Sequence, residues 1–84
     1  MKKQITKQNH KYHTKKEGSF IYKKQKYYIV IRYDHLKDIT SVNIWIVKDG
    51  YLGIRKSHFM YHTKCLNVQQ HINNFIIELK EQGI

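Results

Sequence analysis

The chain has 84 residues, with 16 Lys and Arg against six Asp and Glu, and a single cysteine, Cys65. This length predicts one small domain of modest stability, because such a domain buries only about 60% of the surface that its unfolded chain exposes. One cysteine excludes an internal disulfide, and no apolar run approaches the ~18 residues of a membrane-spanning helix. No apolar segment follows the basic N-terminus as it would in a secretory signal, so we expect a soluble, cytoplasmic protein.

The net charge of +10 favours a polyanionic partner. The surplus is concentrated near the N-terminus, where residues 1–26 contain nine Lys and one Glu. We therefore expect nucleic acid, DNA or RNA, as the partner. An acidic or nucleic-acid-binding host protein is the alternative.

Residues 1–17 lack hydrophobic periodicity and predict a flexible, disordered basic arm, followed by a single domain over residues 18–84. β-branched and aromatic residues predict a short strand over 19–22 and a longer one over 26–33, joined by a turn without Gly or Asn. Alternation gives the second strand a core face and a mixed aromatic and basic face. The core face has Tyr27, Ile29, Ile31 and Tyr33, and the opposite face has Lys26, Tyr28, Val30 and Arg32.

Asp49-Gly50 between two β-branched runs predicts a hairpin over 41–56. A two-residue turn would pair Val47 with Leu52, whereas a three-residue loop including Lys48 would pair Val47 with Tyr51. We expect the three-residue loop, because it gathers the aliphatic side chains on one face. That face would have Val42, Ile44, Ile46, Leu52 and Ile54, and the opposite face Asn43, Trp45, Val47, Tyr51, Gly53 and Arg55.

Segment 57–66 is ambiguous between a strand and a loop. Asn67 is a good N-cap and Gln70 completes a capping-box pattern, so a helix is predicted to begin here and to end near Gly83. Its apolar stripe is Val68, Ile72, Phe75, Ile76 and Leu79. The predicted fold is α+β, in the order β-β-β-β-α: a small antiparallel sheet of three to four strands packed on one C-terminal helix.

The sheet face opposite the core is the candidate nucleic-acid-binding surface. Exposed aromatic rings stack on bases, while Lys and Arg bind phosphates. A single helix cannot form a helix-turn-helix motif, so binding would use the sheet, the arm or both. The candidate residues are Tyr28, Arg32, Trp45, Tyr51 and Arg55 on the face, Lys26 and Lys56 near its margins, and Lys11, Lys15, Lys16, Lys23 and Lys24 in the arm and first turn.

The histidines raise the question of a metal site. His58-x3-His62-x2-Cys65 has a spacing that could serve a metal, with His71, or His10 and His13, supplying a further ligand. Structural zinc sites usually have paired Cys or His ligands at both ends of the domain, and this chain has one thiol. We therefore expect surface histidines, no metal and no cofactor.

Ser57-His58-Phe59-Met60-Tyr61-His62 resembles the Ser-His…Tyr…His segment of HicA-type toxins, which are small basic ribonucleases that use a histidine. The resemblance covers six residues; the second histidine comes one position early, and the final helix follows where that family has another strand. The resemblance implies a small ribonuclease. On chemistry alone, His58 or His62 could act as general base near Lys64 or Tyr61, since imidazole titrates near neutrality. The six carboxylates are not clustered, which argues against a metal-dependent nuclease.

Three functional hypotheses follow. The leading one is a small non-enzymatic nucleic-acid-binding protein that uses the aromatic and basic sheet face together with the Lys-rich arm. The second is an inhibitor or accessory protein, of the kind that phages and mobile elements encode against host nucleic-acid-processing enzymes, since Trp, Tyr and Arg also dominate protein interfaces. The third is the ribonuclease. The same face could also form a homodimer.

Overall fold

The computed structural model describes residues 12–84. These residues form four strands and one helix: β1 (His13–Tyr22), β2 (Gln25–Asp34), β3 (Ile39–Lys48), β4 (Tyr51–Tyr61) and α1 (Val68–Glu81). The strands pair in chain order as one antiparallel sheet. The predicted α+β fold, a small antiparallel sheet with one C-terminal helix, is confirmed.

β1 begins at His13 rather than at residue 19. The predicted arm is therefore too long at its C-terminal end, because residues 13–17 pair with β2; Lys15 lies opposite Arg32 and Glu17 opposite Val30. This part of β1 has no apolar alternation, but it supplies the hydrogen-bond partners that the long strand β2 needs along its edge. The rest of the predicted arm, residues 1–11, lies outside the described residues.

The inner face of the sheet, on which α1 packs, holds the core. Phe20 stacks on Tyr27 with ring centroids 5.3 Å apart, and Phe75 of α1 meets the Tyr27 ring edge-on at 5.2 Å. Removal of this apolar surface from water is the main stabilising contribution to the fold. The buried apolar side chains are Tyr27, Ile29, Ile31, Tyr33, Val42, Ile44, Ile72, Phe75 and Leu79. The predicted core positions on β2, the first half of β3 and most of the α1 stripe are thus confirmed.

Both predicted ends of the helix are confirmed. The Asn67 side chain accepts a hydrogen bond from the backbone N–H of Gln70 at 3.1 Å. At the other end Gly83 is left-handed, with φ +81°, and its N–H donates to the Lys80 carbonyl at 3.0 Å. No helix within residues 12–84 is long and apolar enough to cross a membrane.

The ambiguous segment 57–66 divides into two parts. Residues 57–61 continue β4, and the rest is a connection held to the sheet by Thr40, which is fully buried. The Thr40 hydroxyl donates to the Thr63 carbonyl at 2.6 Å and accepts from the Cys65 N–H at 3.2 Å. These two bonds fix the path from β4 to α1.

The hairpin between β3 and β4 has a two-residue turn, so the predicted three-residue loop is wrong. Asp49 and Gly50 both have positive φ, at 52° and 81°. Val47 consequently pairs with Leu52. A two-residue turn with both residues left-handed matches the twist of hairpin strands, and this local preference outweighs the sorting of aliphatic side chains.

Two register shifts in β4 follow this turn. After the Val47–Leu52 pair, Trp45 pairs with Arg55 and Ile44 pairs with Ser57, so β4 has an extra residue at each shift. Trp45 therefore lies opposite Arg55, whereas the predicted register placed it opposite Gly53. Two predicted core residues, Leu52 and Ile54, are instead 53% and 73% exposed.

Candidate nucleic-acid interface

The outer face of the sheet, opposite α1, is the candidate interface. Its centre is made by β2 and β3, where Tyr28 pairs with Trp45 and Arg32 with Ser41. No strand or helix of residues 12–84 packs on this face, and none of its side chains is buried. The apolar packing that stabilises the fold therefore lies on the other side of the sheet.

Tyr28 and Trp45 form an aromatic pair on this face. Their ring centroids are 6.4 Å apart and their planes are tilted by 37°. The pKa of Tyr28 is raised by partial burial and by its hydrogen bond to the Glu17 carboxylate. Both rings remain partly exposed, so they offer apolar surface to a ligand at the centre of the sheet.

Cationic side chains surround the aromatic pair. Lys26 and Arg32 lie on the same side of β2 as Tyr28, and Arg55 is the cross-strand partner of Trp45. Lys15 also lies on this face, opposite Arg32, but its ammonium is 3.1 Å from the Glu17 carboxylate. Six predicted site residues are therefore brought together on this face: Lys15, Lys26, Tyr28, Arg32, Trp45 and Arg55.

Two predicted site residues lie on the other side of the sheet. Tyr51 pairs with Lys48 at the end of the inner face and is 78% exposed. Its predicted place beside Trp45 is wrong, because the two-residue turn shifts the alternation of β4 by one residue. Lys16 pairs with Ile31 and also belongs to the inner side.

The remaining predicted lysines lie away from the centre of the outer face. Lys23 and Lys24 form the turn between β1 and β2, where both have positive φ, at 49° and 69°. Lys56 lies at the register shift next to Arg55 and is exposed. Lys11 is outside the described residues.

The sequence prediction of the site missed the roles of Asn43 and His58, which the register shifts bring opposite each other. The Asn43 side-chain oxygen Oδ1 accepts hydrogen bonds from Arg55 Nη1 at 3.2 Å and from His58 Nδ1 at 2.6 Å. The only signal in the sequence was the predicted placement of Asn43 on the same face as Arg55.

The histidines and the cysteine at this spacing do not form a metal site in the described part of the chain. Within residues 12–84, no three His, Cys, Asp or Glu side chains come together as metal ligands would. His58 lies on the outer face, whereas His71 is buried on the inner side and its ring donates to the Cys65 carbonyl at 2.7 Å.

The outer face carries two shallow depressions. One lies beside Tyr28 and includes Lys26 and Leu52, and the other lies beside Arg32 and Met60. Comparison with known proteins adds no further evidence, since no family model, curated protein or solved structure matches this chain. The chemistry of the outer face is therefore the basis for assigning a function.

Proposed function

We propose that the protein binds single-stranded nucleic acid on the outer face of its sheet, and that it does so without catalysing a reaction. The observation that carries this proposal is the Tyr28–Trp45 pair, which lies on neighbouring strands and is covered by no other element of residues 12–84. Arg32 and Arg55 flank the pair on the same face.

Stacking accounts for the aromatic component of the site. Every base has a flat π face, and base stacking on a protein aromatic ring contributes about 1–3 kcal/mol per base. Tyr28 and Trp45 are side by side across β2 and β3, so they can each receive one of two successive bases. The depression beside Tyr28 provides additional apolar surface from Val47 and Leu52.

Phosphate binding accounts for the cationic component. Lys26, Arg32 and Arg55 lie around the aromatic pair, within the span of a few nucleotides. Cations that neutralise phosphates release condensed counterions, which makes the affinity fall steeply with salt. The net charge of +10 strengthens the approach of any nucleic acid to this surface.

The width of the sheet favours a single strand over a duplex. The major groove of B-DNA is about 12 Å wide and admits a helix or a two-stranded ribbon. Strands in a sheet are about 4.8 Å apart, so four strands span about 14 Å before side chains are added. The outer face is too wide for the groove, whereas a single strand can lie flat across it, as on other four-stranded sheets with exposed aromatic residues.

Fluorescence anisotropy with labelled single-stranded and duplex DNA and RNA, at two salt concentrations, tests this proposal. Trp45→Ala is expected to weaken single-strand binding about tenfold, because it removes one stacking surface. Tyr51→Ala is the matched control, since Tyr51 is an exposed aromatic residue on the inner side of the same sheet. It is expected to change the affinity less than twofold, that is, by less than about 0.4 kcal/mol.

Two outcomes would overturn the proposal. Duplexes that bind as tightly as single strands would exclude selection of unpaired bases. An unchanged affinity in the double variant Trp45→Ala with Arg55→Ala would mean that nucleic acid binds elsewhere, through nonspecific phosphate contacts. The outer face would then be assigned to a protein partner, the second hypothesis from the sequence.

A further inference from the structure

Asn43, Arg55 and His58 form a cluster of polar side chains next to Trp45. Asn43 is on β3, and Arg55 and His58 are on β4, on either side of a register shift. Arg55 and His58 are exposed and Asn43 is partly exposed. The cluster shares one acceptor, the Asn43 Oδ1 atom, at 3.2 Å from Arg55 Nη1 and 2.6 Å from His58 Nδ1.

The hydrogen-bonding roles in this cluster follow from the arginine. A guanidinium can only donate, so the Asn43 atom that it contacts is the acceptor oxygen. His58 must then donate to the same oxygen, which places a proton on Nδ1 and leaves Nε2 directed away from Asn43. The Asn43 amide NH₂, the other guanidinium N–H groups of Arg55 and the Nε2 side of His58 all remain available to a ligand.

No carboxylate of the described chain neutralises this cluster. The outer-face acids are Glu17, which pairs with Lys15, and Asp34, whose carboxylate accepts the backbone N–H groups of Leu36 and Lys37. The remaining acids, Asp38, Asp49, Glu78 and Glu81, lie in turns or on α1. Arg55, the Asn43 amide and, in its imidazolium form, His58 thus present hydrogen-bond donors without a competing anion in residues 12–84.

We propose that Asn43, Arg55 and His58 bind one phosphate group of the nucleic-acid backbone, next to the base stacked on Trp45. This inference rests on the proposed function and specifies which phosphate contact accompanies the stacking. Arg55 is the direct cross-strand partner of Trp45, so a phosphate at the cluster lies one side chain away from the stacked base. The guanidinium fork suits phosphate oxygens, and Asn43 is the positioning residue that orients both donors.

Single substitutions distinguish phosphate binding at this cluster from nonspecific attraction by the positive charge of the protein. Arg55→Ala is expected to weaken single-strand binding about tenfold through loss of charge-assisted hydrogen bonds. Lys56→Ala removes the same charge from the adjacent residue, outside the cluster, and is expected to weaken it only about twofold. His58→Ala should likewise weaken single-strand binding, and His62→Ala, which removes a histidine outside the cluster, is its control.

Asn43→Asp tests whether a phosphate lies against this cluster. Asp keeps an acceptor for Arg55 and His58, so the two donors stay in place, but its negative charge repels phosphate. We expect this variant to bind single strands at least about tenfold more weakly, with thermal stability equal to or above that of the wild type. If no phosphate binds at the cluster, Asn43→Asp should instead retain the affinity of the wild type.

The deciding experiment is an NMR titration of the full chain with inorganic phosphate, run beside anisotropy with a twelve-nucleotide oligo(dT). We expect phosphate to shift the Asn43 side-chain amide and the His58 ring signals in the wild type and in Trp45→Ala, but not in Arg55→Ala. Oligonucleotide binding should be weakened in both variants. Equal effects of Arg55→Ala and Lys56→Ala would overturn the site while leaving the proposed function intact. Phosphate binding without any oligonucleotide binding would instead support the site and overturn the proposed function.

Discussion

Tyr27 and Tyr28 are neighbours in sequence and lie on opposite faces of β2. Tyr27 is 4% exposed and packs between Phe20 and Phe75 in the core. Tyr28 is partly exposed and contacts Trp45 on a face that α1 does not cover. The same residue type therefore stabilises the fold on one face and offers a stacking surface on the other. The direction of the side chain, set by strand alternation, decides between the two roles.

This division of the sheet separates stability from recognition. Removal of a buried side chain on the inner face leaves a cavity, which adds to the loss of apolar burial. Removal of a side chain on the outer face leaves only a change in solvated surface, because no other element of residues 12–84 packs there. Substitutions on the inner face should thus change the free energy of unfolding, and substitutions on the outer face should change the affinity for nucleic acid.

The largest expected effect is on the inner face. Ile31→Ala should lower the free energy of unfolding by about 2–5 kcal/mol, because Ile31 is fully buried. Val30→Ala, the adjacent residue on the outer face, should lower it by less than about 1 kcal/mol. Urea denaturation followed by circular dichroism measures both values. An equal loss in the two variants would contradict the separation of the faces.

A smaller effect is expected at the turn between β1 and β2, which belongs to neither face. Lys23 and Lys24 both have positive φ, whereas the corresponding turn of the second hairpin has Asp49-Gly50. A side chain in the left-handed region costs roughly 1–2 kcal/mol per residue. Lys24→Gly should therefore raise the free energy of unfolding, but by no more than about 1 kcal/mol, because glycine loses part of this advantage to the greater conformational entropy of its unfolded chain.

The same variant also locates binding. If recognition is confined to the outer face, Lys24→Gly should reduce single-strand affinity only about twofold, as expected for one distant charge. Lys24→Arg is the control, because it keeps the charge and the left-handed strain. A loss as large as that of Trp45→Ala would extend the interface to the end of the sheet.

The fold was predictable because its strongest patterns are local. The alternation in residues 26–33 and the apolar stripe of α1 with its Asn67 cap each fix one element without reference to another. The start of β1 was not predictable in this way. Its residues 13–17 are mainly charged or polar, and they form a strand because β2 pairs with them.

The candidate site was predictable only where it depended on a single strand. Tyr28 and Arg32 follow from alternation within β2. Arg55 lies on the predicted face for a different reason. The two-residue turn moves its side chain to the other face, and the register shift between Val47 and Trp45 moves it back. Shifts of this kind need no characteristic residue, so the Asn43–His58 pair, which depends on them, could not be predicted from the sequence.

On the outer face, the Lys15–Glu17 ion pair provides a finer test of recognition. Glu17→Gln removes a negative charge and frees the Lys15 ammonium, which is 3.1 Å from the carboxylate. Single-strand affinity should rise about twofold at low salt, and the gain should shrink as salt screens the charges. Glu81→Gln, an equal charge change on α1, is the control and should leave the affinity nearly unchanged. Equal gains in both variants would indicate that net charge, not the outer face, governs binding.

The smallest expected effect is the contribution of Glu17 to stability at acid pH. Hydrogen bonds from Lys15 and then Tyr28, together with the Lys15 charge, hold the pKa of Glu17 below its ordinary value of 4.5. A carboxyl group whose pKa is lower in the folded state stabilises the fold above its unfolded pKa, and this stabilisation is lost as the pH falls through the folded value. Thermal unfolding between pH 6 and pH 3 should therefore show a slightly smaller loss of stability in Glu17→Gln than in the wild type. The difference should be small because both partners of this ion pair are half exposed. A large difference would mean that this outer-face pair also supports the fold, against the separation of the two faces.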